Sequence, residues 1–333
     1  MKITFFSTQL YDKQFFHQHN ESFGFELEFF ETPLNIQTAH LINNTQAVCV
    51  FVNDKIDAAI CKQLAAKGVK IIALRCAGFN NIDLATAKEN GLQVCRVPAY
   101  SPEAVAEHAI AMILTLNRKT HKAYNRVREQ NFSLNGLLGF NLHGKTIGVI
   151  GTGNIGKAFC KIMLGFGCKV MAFDLIANRD MQAMGVTYHP LVEVLQQADI
   201  LSLHCPLTEQ THHIINNETI ALMKKGAMLI NTSRGGLIHT QHVIAALKSG
   251  HIAYLGIDVY EQEEKLFFKD LSTSIIEDDA IQRLMSFPNV LVTAHQAFFT
   301  QEAMAQIATI TLNNVAQLLQ TGNLTNKAAL LIQ

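Results

Sequence analysis

Residues 146–174 constrain the fold more than any other stretch of the chain. Thr146–Ile150 is a short apolar run, Gly151-Thr152-Gly153-Asn154-Ile155-Gly156 follows at once, and Ala158, Ile162, Met163 and Phe166 then recur at helical spacing. A second apolar run, Lys169–Phe173, ends at Asp174. A lone GxGxxG says little. With a strand before it, a helix after it and an acid closing the next strand, it reads as a dinucleotide-binding βαβ unit. Gly151 permits the tight turn, Gly153 lets the backbone approach a pyrophosphate, and Gly156 lets helix and strand pack closely. The helix N-terminus, entered through Asn154 and Ile155, offers unpaired N–H groups to that pyrophosphate. Asp174 suits the adenosine ribose hydroxyls and would repel a 2′-phosphate, which predicts NAD rather than NADP. Arg179, a little further on, reads as loop surface.

Similar runs recur at Ile3–Phe6, Ala47–Val52, Lys70–Leu74, Gln93–Arg96, Ile200–Leu203, Met228–Asn231, Tyr254–Asp258 and Val290–Thr293. Most are continuous Val/Ile/Leu segments rather than alternations, the pattern of parallel strands buried on both faces. Helical patterns lie between them, so the class is α/β, built from βαβ units. A length of 333 residues suggests two domains, and 49% apolar against 16% charged residues supplies two packed cores. The break falls near residue 100. Ser101 can cap a helix that Pro102 begins, and that helix ends among Arg118, Lys119 and Lys122. A polar loop over residues 131–143 then leads into the glycine motif.

Lys plus Arg and Asp plus Glu are both 27, so no excess of positive charge points to nucleic acid or an anionic membrane as partner. The N-terminal apolar run is too short for a signal-peptide core, and the richest helical stretch, residues 104–116, is too short to span a bilayer. The seven cysteines are scattered with no CxxC pair, which reads as buried reduced thiols in a cytoplasmic protein.

Three charged residues stand just beyond later strands, where open α/β sheets place their active sites. They are Arg234 in Asn231-Thr232-Ser233-Arg234-Gly235-Gly236, Glu263 in Asp258-Val259-Tyr260-Glu261-Gln262-Glu263, and His295 in Thr293-Ala294-His295-Gln296-Ala297-Phe298-Phe299. Singly, each has an ordinary reading as a solvated or hydrogen-bonded side chain. The neighbouring acids Glu261 and Glu264 leave open which carboxylate serves a nearby histidine. His212-His213 suggests a metal, but no third ligand has the right spacing, so none is expected. His108, on an apolar helix face, reads as a hydrogen bond across the domains.

Taken together, these segments resemble the D-2-hydroxyacid dehydrogenase family over essentially the whole chain. The resemblance also rests on Arg75-Cys76-Ala77-Gly78-Phe79-Asn80-Asn81-Ile82-Asp83, on Val97 through His108, and on His204-Cys205-Pro206-Leu207-Thr208. Leu266-Phe267-Phe268 and His295-Gln296-Ala297-Phe298 are narrower and favour the fermentative D-lactate branch. The resemblance implies a flavodoxin-like substrate domain of residues 1–100 plus 299–333 and a Rossmann NAD-binding domain of residues 101–298. It implies reversible hydride transfer between NADH and a small 2-oxo acid, pyruvate first, with D-hydroxy acids as products, in a homo-oligomer (dimer or tetramer). His295 would be the acid–base group, Glu263 its partner favouring the imidazolium, and Arg234 the fork that holds the substrate carboxylate. Backbone N–H groups of Ala77 and Gly78 would complete the carboxylate site, with Tyr100 and Phe299 sizing the pocket and Phe51 either joining them or packing in the core. Cys205, Pro206, Thr232 and Ser233 would line the cofactor cleft, and Asp258 would meet the nicotinamide amide. The alternatives are a preference for bulkier 2-oxo acids and, in a different class, a non-catalytic NAD-sensing protein; the latter would not need all three of Arg234, Glu263 and His295.

Overall fold

A computed structural model describes residues 1–332. In chain order the strands are β1 Lys2–Phe5, β2 Glu26–Phe29, β3 Ala47–Val50, β4 Ile71–Leu74, β5 Gln93–Arg96, β6 Thr146–Ile150, β7 Lys169–Phe173, β8 Thr187–Tyr188, β9 Ile200–Leu203, β10 Ala227–Asn231, β11 Ile252–Ile257, β12 Val290–Val292 and β13 Leu330–Ile332. They form two sheets, one in each of two units: Met1–Ser101 with the chain from Phe299 onward, and Pro102–Phe298.

The first unit has the order β13-β5-β4-β3-β1-β2, parallel except for β13. Without β13 this is the 2-1-3-4-5 order of a flavodoxin-like sheet. β3 and β4 are buried throughout, which is why both read as unbroken apolar runs. The helix Gln301–Thr321 starts with the Thr300 side chain accepting from Ala303 N–H and stops at Gly322, whose φ of 70° suits glycine. It packs on β4 and β5, and the Asn314 amide donates to the Arg96 carbonyl at 2.9 Å. The C-terminal segment thus belongs to the first unit by packing.

The second unit is a parallel sheet ordered β12-β11-β10-β9-β6-β7-β8. Counted from β6, its order is 3-2-1-4-5-6-7, a doubly wound sheet that reverses between β6 and β9. Its register positions the site. Ile150 pairs with Phe173 and Leu203, Leu203 with Asn231, Asn231 with Ile257, and Ile257 with Val292. One residue further along, Asp174, Gly151, His204, Thr232, Asp258 and Thr293 therefore emerge as one row along the carboxyl edge.

Three strands had no counterpart in the sequence reading: β2, β8 and β13. All lie at a sheet edge and none is fully buried: β2 and the two-residue β8 lack the apolar run that marks an interior strand, and β13, Leu-Leu-Ile, is apolar but only three residues long. The helix that begins at Pro102 ends at Arg118; Lys119, at φ 52°, breaks it from a second helix, Thr120–Arg128. The loop read as polar carries Phe132, Leu134 and Leu138 at 73%, 81% and 88% exposure, among the most exposed apolar side chains described.

Candidate active site

The glycine motif opens at the end of β6, where the sheet order reverses. Gly151 has φ 92°, and a Cβ there would lie 2.6 Å from the Cys205 N atom. A Cβ on Gly156 would overlap the Gly151 carbonyl. Gly153 differs: nothing of the protein lies within 4 Å of the position its Cβ would take, so the glycine keeps clear a space outside the chain. Gly153 also caps the helix Asn154–Gly165 without a side-chain hydrogen bond, leaving first-turn N–H groups for an anion. In the same row, the buried Thr232 hydroxyl has no hydrogen-bond partner among the described residues, and a buried polar atom of this kind suits a ligand's donor or acceptor. These features fit a bound dinucleotide.

Asp174 closes β7 beside the motif. Its Oδ2 accepts from the Thr152 N–H at 2.5 Å and hydroxyl at 2.8 Å, and the Tyr188 hydroxyl donates to Thr152 Oγ1 at 3.0 Å. Partial burial opposes ionisation of Asp174, but the Thr152 bonds outweigh it and hold the carboxyl below its ordinary value. Oδ1 accepts a long 3.5 Å contact from Ile176 N–H. His204, beyond β9, is half-buried with its ring on Phe159 at 4.7 Å between ring centroids and Nε2 2.9 Å from Ser202 Oγ. Burial pushes its imidazole down to about 3, so the ring is neutral near pH 7. The Ser233 hydroxyl donates to the Cys205 carbonyl at 2.7 Å, joining the loops after β9 and β10.

Arg234 follows in a turn fixed from below by buried Asn231, whose side chain accepts from Ser233 N–H and donates to the Arg234 carbonyl. One guanidinium nitrogen donates to Ser233 O at 2.6 Å. The next residue, Gly235, abuts the Tyr260–Glu261 peptide so closely that a Cβ would overlap it. This contact sets the turn carrying Arg234 against the turn carrying Glu263.

Glu263 is the acid that meets the histidine. Its Oε1 accepts from His295 Nδ1 at 2.8 Å, and its Oε2 accepts from Tyr260 N–H at 2.9 Å. Glu261 is engaged elsewhere, accepting from His213 Nε2 at 2.6 Å and from both the backbone and the hydroxyl of Thr240. The geometry thus separates two acids that the acidic run by itself left equivalent and between which the resemblance had picked Glu263. His213 is occupied by that bond, and among the described residues no group of three or more His, Cys, Asp or Glu side chains is arranged to hold a metal.

His295 has φ 53°, in the left-handed region, and its N–H donates to the Asp258 carbonyl at 2.7 Å. The Asp258 carboxylate, wholly buried, accepts from the Thr293 hydroxyl at 2.5 Å, Gln296 N–H at 2.9 Å and Ala297 N–H at 2.9 Å. It fastens the whole 293–297 loop. A further bond from a nicotinamide amide is within the accepting capacity of two carboxylate oxygens. His108 Nε2 lies 3.1 Å from Thr293 Oγ1 and 3.5 Å from Asp258 Oδ1. Both partners share its own unit, so the expectation of a bond across domains is corrected: the helix Pro102–Arg118 packs on β10 and β11.

In the first unit, the N–H groups of Ala77 and Gly78 donate to no protein acceptor among the described residues. Their loop is held by Arg96, which donates to the Ala77 carbonyl at 2.7 Å and lies over the Phe79 ring. Arg75, only 1% exposed, supports it further back by donating to the Phe6 and Ser7 carbonyls and pairing with Asp12. Sequence reasoning gave Arg75 no role, although it opens the segment quoted above. The half-buried Phe51 ring lies under the Arg75 guanidinium at 4.9 Å. Phe299 is 48% exposed and meets Tyr11 edge to face, and Tyr100 is half-buried.

Residues 110–297 match the family model described as D-isomer specific 2-hydroxyacid dehydrogenase, NAD binding domain. The chain is 52% identical to the D-lactate dehydrogenase of Escherichia coli over 318 residues, 96% of this chain and 97% of that one. It superposes on the apo structure of D-lactate dehydrogenase from Escherichia coli with TM-score 0.91, at 49% identity when residues are paired by structure and with both chains covered completely. The D-lactate dehydrogenase of Aquifex aeolicus, solved in complex with NAD and lactic acid, superposes with TM-score 0.88 at 35% identity, covering 99% of each chain.

Proposed function

From its membership in the D-isomer specific 2-hydroxyacid dehydrogenase family, to which the chain belongs, we propose that it uses NADH to reduce pyruvate to D-lactate, reversibly. The single observation that carries the reading is the His295–Glu263 pair at 2.8 Å. A carboxylate can only accept, so it takes the proton on Nδ1 and leaves Nε2 to serve the substrate oxygen. When bound, NADH supplies a hydride to the ketone carbon. His295 Nε2 gives its proton to the ketone oxygen as negative charge develops there, and Glu263 stabilises the imidazolium. Arg234 holds the carboxylate and polarises the neighbouring carbonyl through its remaining donors. The N–H groups of Ala77 and Gly78 are assigned to substrate binding, and Tyr100 and Phe299 to pocket size. For the cofactor, the assigned residues are Gly151, Gly153, Asn154, Ile155 and Gly156 at the pyrophosphate, Asp174 at the ribose, and Cys205, Pro206, Thr232, Ser233 and Asp258 along the cleft.

We assign the protein to the cytoplasm; among the described residues no helix is long and apolar enough to cross a membrane. We also infer a homo-oligomer. Tyr124, Val127, Phe132, Leu134 and Leu138 lie in one short segment of the sequence with exposures of 49–88%, and exposed apolar residues gathered in this way support an association surface. Light scattering tests this.

The activity test is NADH oxidation with a panel of 2-oxo acids, repeated with NADPH, with chiral analysis of the product. Fast pyruvate reduction to the D-isomer, much weaker with NADPH, is the expected result. Preference for a branched or aromatic acid would move the substrate and keep the chemistry. Tight NADH binding without turnover would replace the enzyme reading by a sensing one.

A further inference from the structure

Phe268 has φ 64°. A bulky L-residue rarely takes this conformation, which glycine or asparagine adopts far more readily. Phe268 follows the short turn Glu263–Lys265, and its neighbour Phe267 is anchored in the core at 8% exposure. The strained backbone directs the Phe268 ring onto His295, 5.9 Å between ring centroids with planes 38° apart. His295 is itself left-handed, so two rare conformations meet at one contact. Strain of this kind persists only where surrounding structure enforces it, and it gathers at functional sites.

We propose that Phe268 is a positioning residue for the reaction, its ring holding the His295 imidazole in the orientation from which it delivers its proton. The proposal rests on the assignment of His295 as proton donor. The groups that face His295 explain why a further support is useful. Glu263 holds Nδ1 by one hydrogen bond, and the Asp258 carbonyl holds the backbone N–H. Neither stops the imidazole from tilting about its own bond to the chain. A flat apolar ring alongside does.

The test uses full-length Phe268→Leu, Phe268→Asn and Phe268→Tyr, with kcat for pyruvate reduction at saturating NADH and NADH affinity from fluorescence. Leu keeps apolar bulk without a ring. Asn relieves the backbone and loses the ring, so a folded variant is available even if Leu fails to fold. Both should lose about tenfold in kcat while the NADH Kd stays within about twofold, and Tyr should recover to within about threefold of the parent. In a His295→Gln background, Phe268→Leu should cost less than about twofold more. A kcat within about twofold of the parent for Leu or Asn would overturn the proposal. So would a Tyr variant as slow as Leu, or an undiminished tenfold loss in the His295→Gln background. If His295→Gln alone retains the parent rate, the assignment of His295 fails first, and the role of Phe268 falls with it.

Discussion

Replacing Asp258 by Asn changes one atom at the point where the catalytic loop is tied down. The carboxylate accepts three hydrogen bonds from the loop: Thr293 O–H and Gln296 N–H on Oδ1, and Ala297 N–H on Oδ2. With the amide oxygen in the Oδ1 position, the NH₂ group confronts Ala297 N–H. With the amide flipped, it confronts Gln296 N–H. Either way one backbone donor is opposed by another donor, and the surviving bonds lose their charge assistance. Losing a charge-assisted bond costs roughly 1.5–3 kcal/mol, and an unpaired buried donor adds to that, so a total of about 2–4 kcal/mol is expected. Burial opposes ionisation of Asp258, yet the bonds from His108, Thr293 and Ala297 outweigh it and hold the carboxyl below its ordinary value. A depressed carboxyl stabilises the fold above its unfolded-state value, near 4, and loses that contribution only as pH falls through the lower folded value; at neutral pH the contribution is complete. Urea unfolding without cofactor at neutral pH therefore reads the loop alone. kcat/KM for pyruvate should fall at least about tenfold, because a loop displaced by about 1 Å misplaces His295. An Asn variant within about 0.5 kcal/mol of the parent, with kcat/KM within about twofold, would show that these bonds do not hold the site.

Arg234→Lys keeps the charge and loses the planar fork, so kcat/KM for pyruvate should drop at least about tenfold, and near-parental kinetics would remove Arg234 from carboxylate binding. Gly235→Ala adds a Cβ where the Tyr260–Glu261 peptide already lies; the backbone must move, and a loss of roughly 1–3 kcal/mol or more should appear as a lower Tm together with lower activity. Asp174→Ser removes the negative charge proposed to exclude a 2′-phosphate, and the NADH to NADPH ratio of kcat/KM should fall at least about tenfold; an unchanged ratio would place selectivity elsewhere. His204 titrates near 3 when folded and near 6.5 when unfolded, so the unfolded chain gains the proton first as pH falls. Its contribution should cost about 2 kcal/mol between pH 6.5 and 5, and His204→Asn should flatten that slope in urea unfolding.

Interior strands were legible because burial on both faces demands continuous apolar runs. β6, β7 and β9 fall on the residues that such runs mark. β2, with the sequence Glu-Leu-Glu-Phe, and the two-residue β8 have one side open to solvent and leave no such trace. The glycine motif was equally legible, since the steric demands on Gly151 and Gly156 come from nearby chain and are met at fixed spacing. The choice between Glu261 and Glu263 was legible through the family resemblance alone, not in the acidic run. It is made by Thr240 and His213, which draw Glu261 away, and by Tyr260, whose N–H turns Glu263 toward His295. None of these partners is signalled by the acidic run itself. The same holds for His108, whose partners Thr293 and Asp258 become neighbours only when the helix from Pro102 lies on its own sheet.

The row at the carboxyl edge explains why short, separate motifs were nevertheless enough to assemble a candidate site. In a parallel sheet held in register, the first residue beyond each strand stands level with the first beyond its neighbours. Finding where a strand ends in sequence therefore finds a position in the row. What the sequence does not contain is the order of the row, which depends on how the βαβ units cross over. The observed order sets Asp174 at one side of Gly151 and His204 at the other, followed by Thr232, Asp258 and Thr293. The residue assigned to the ribose and the loop that carries His295 thus stand on opposite sides of the glycine turn. That separation is what an extended dinucleotide with its reactive ring at one end requires. Had β7 and β11 exchanged places, every motif would survive in the sequence, and Asp174 would stand beside His295 with no room for the cofactor between them.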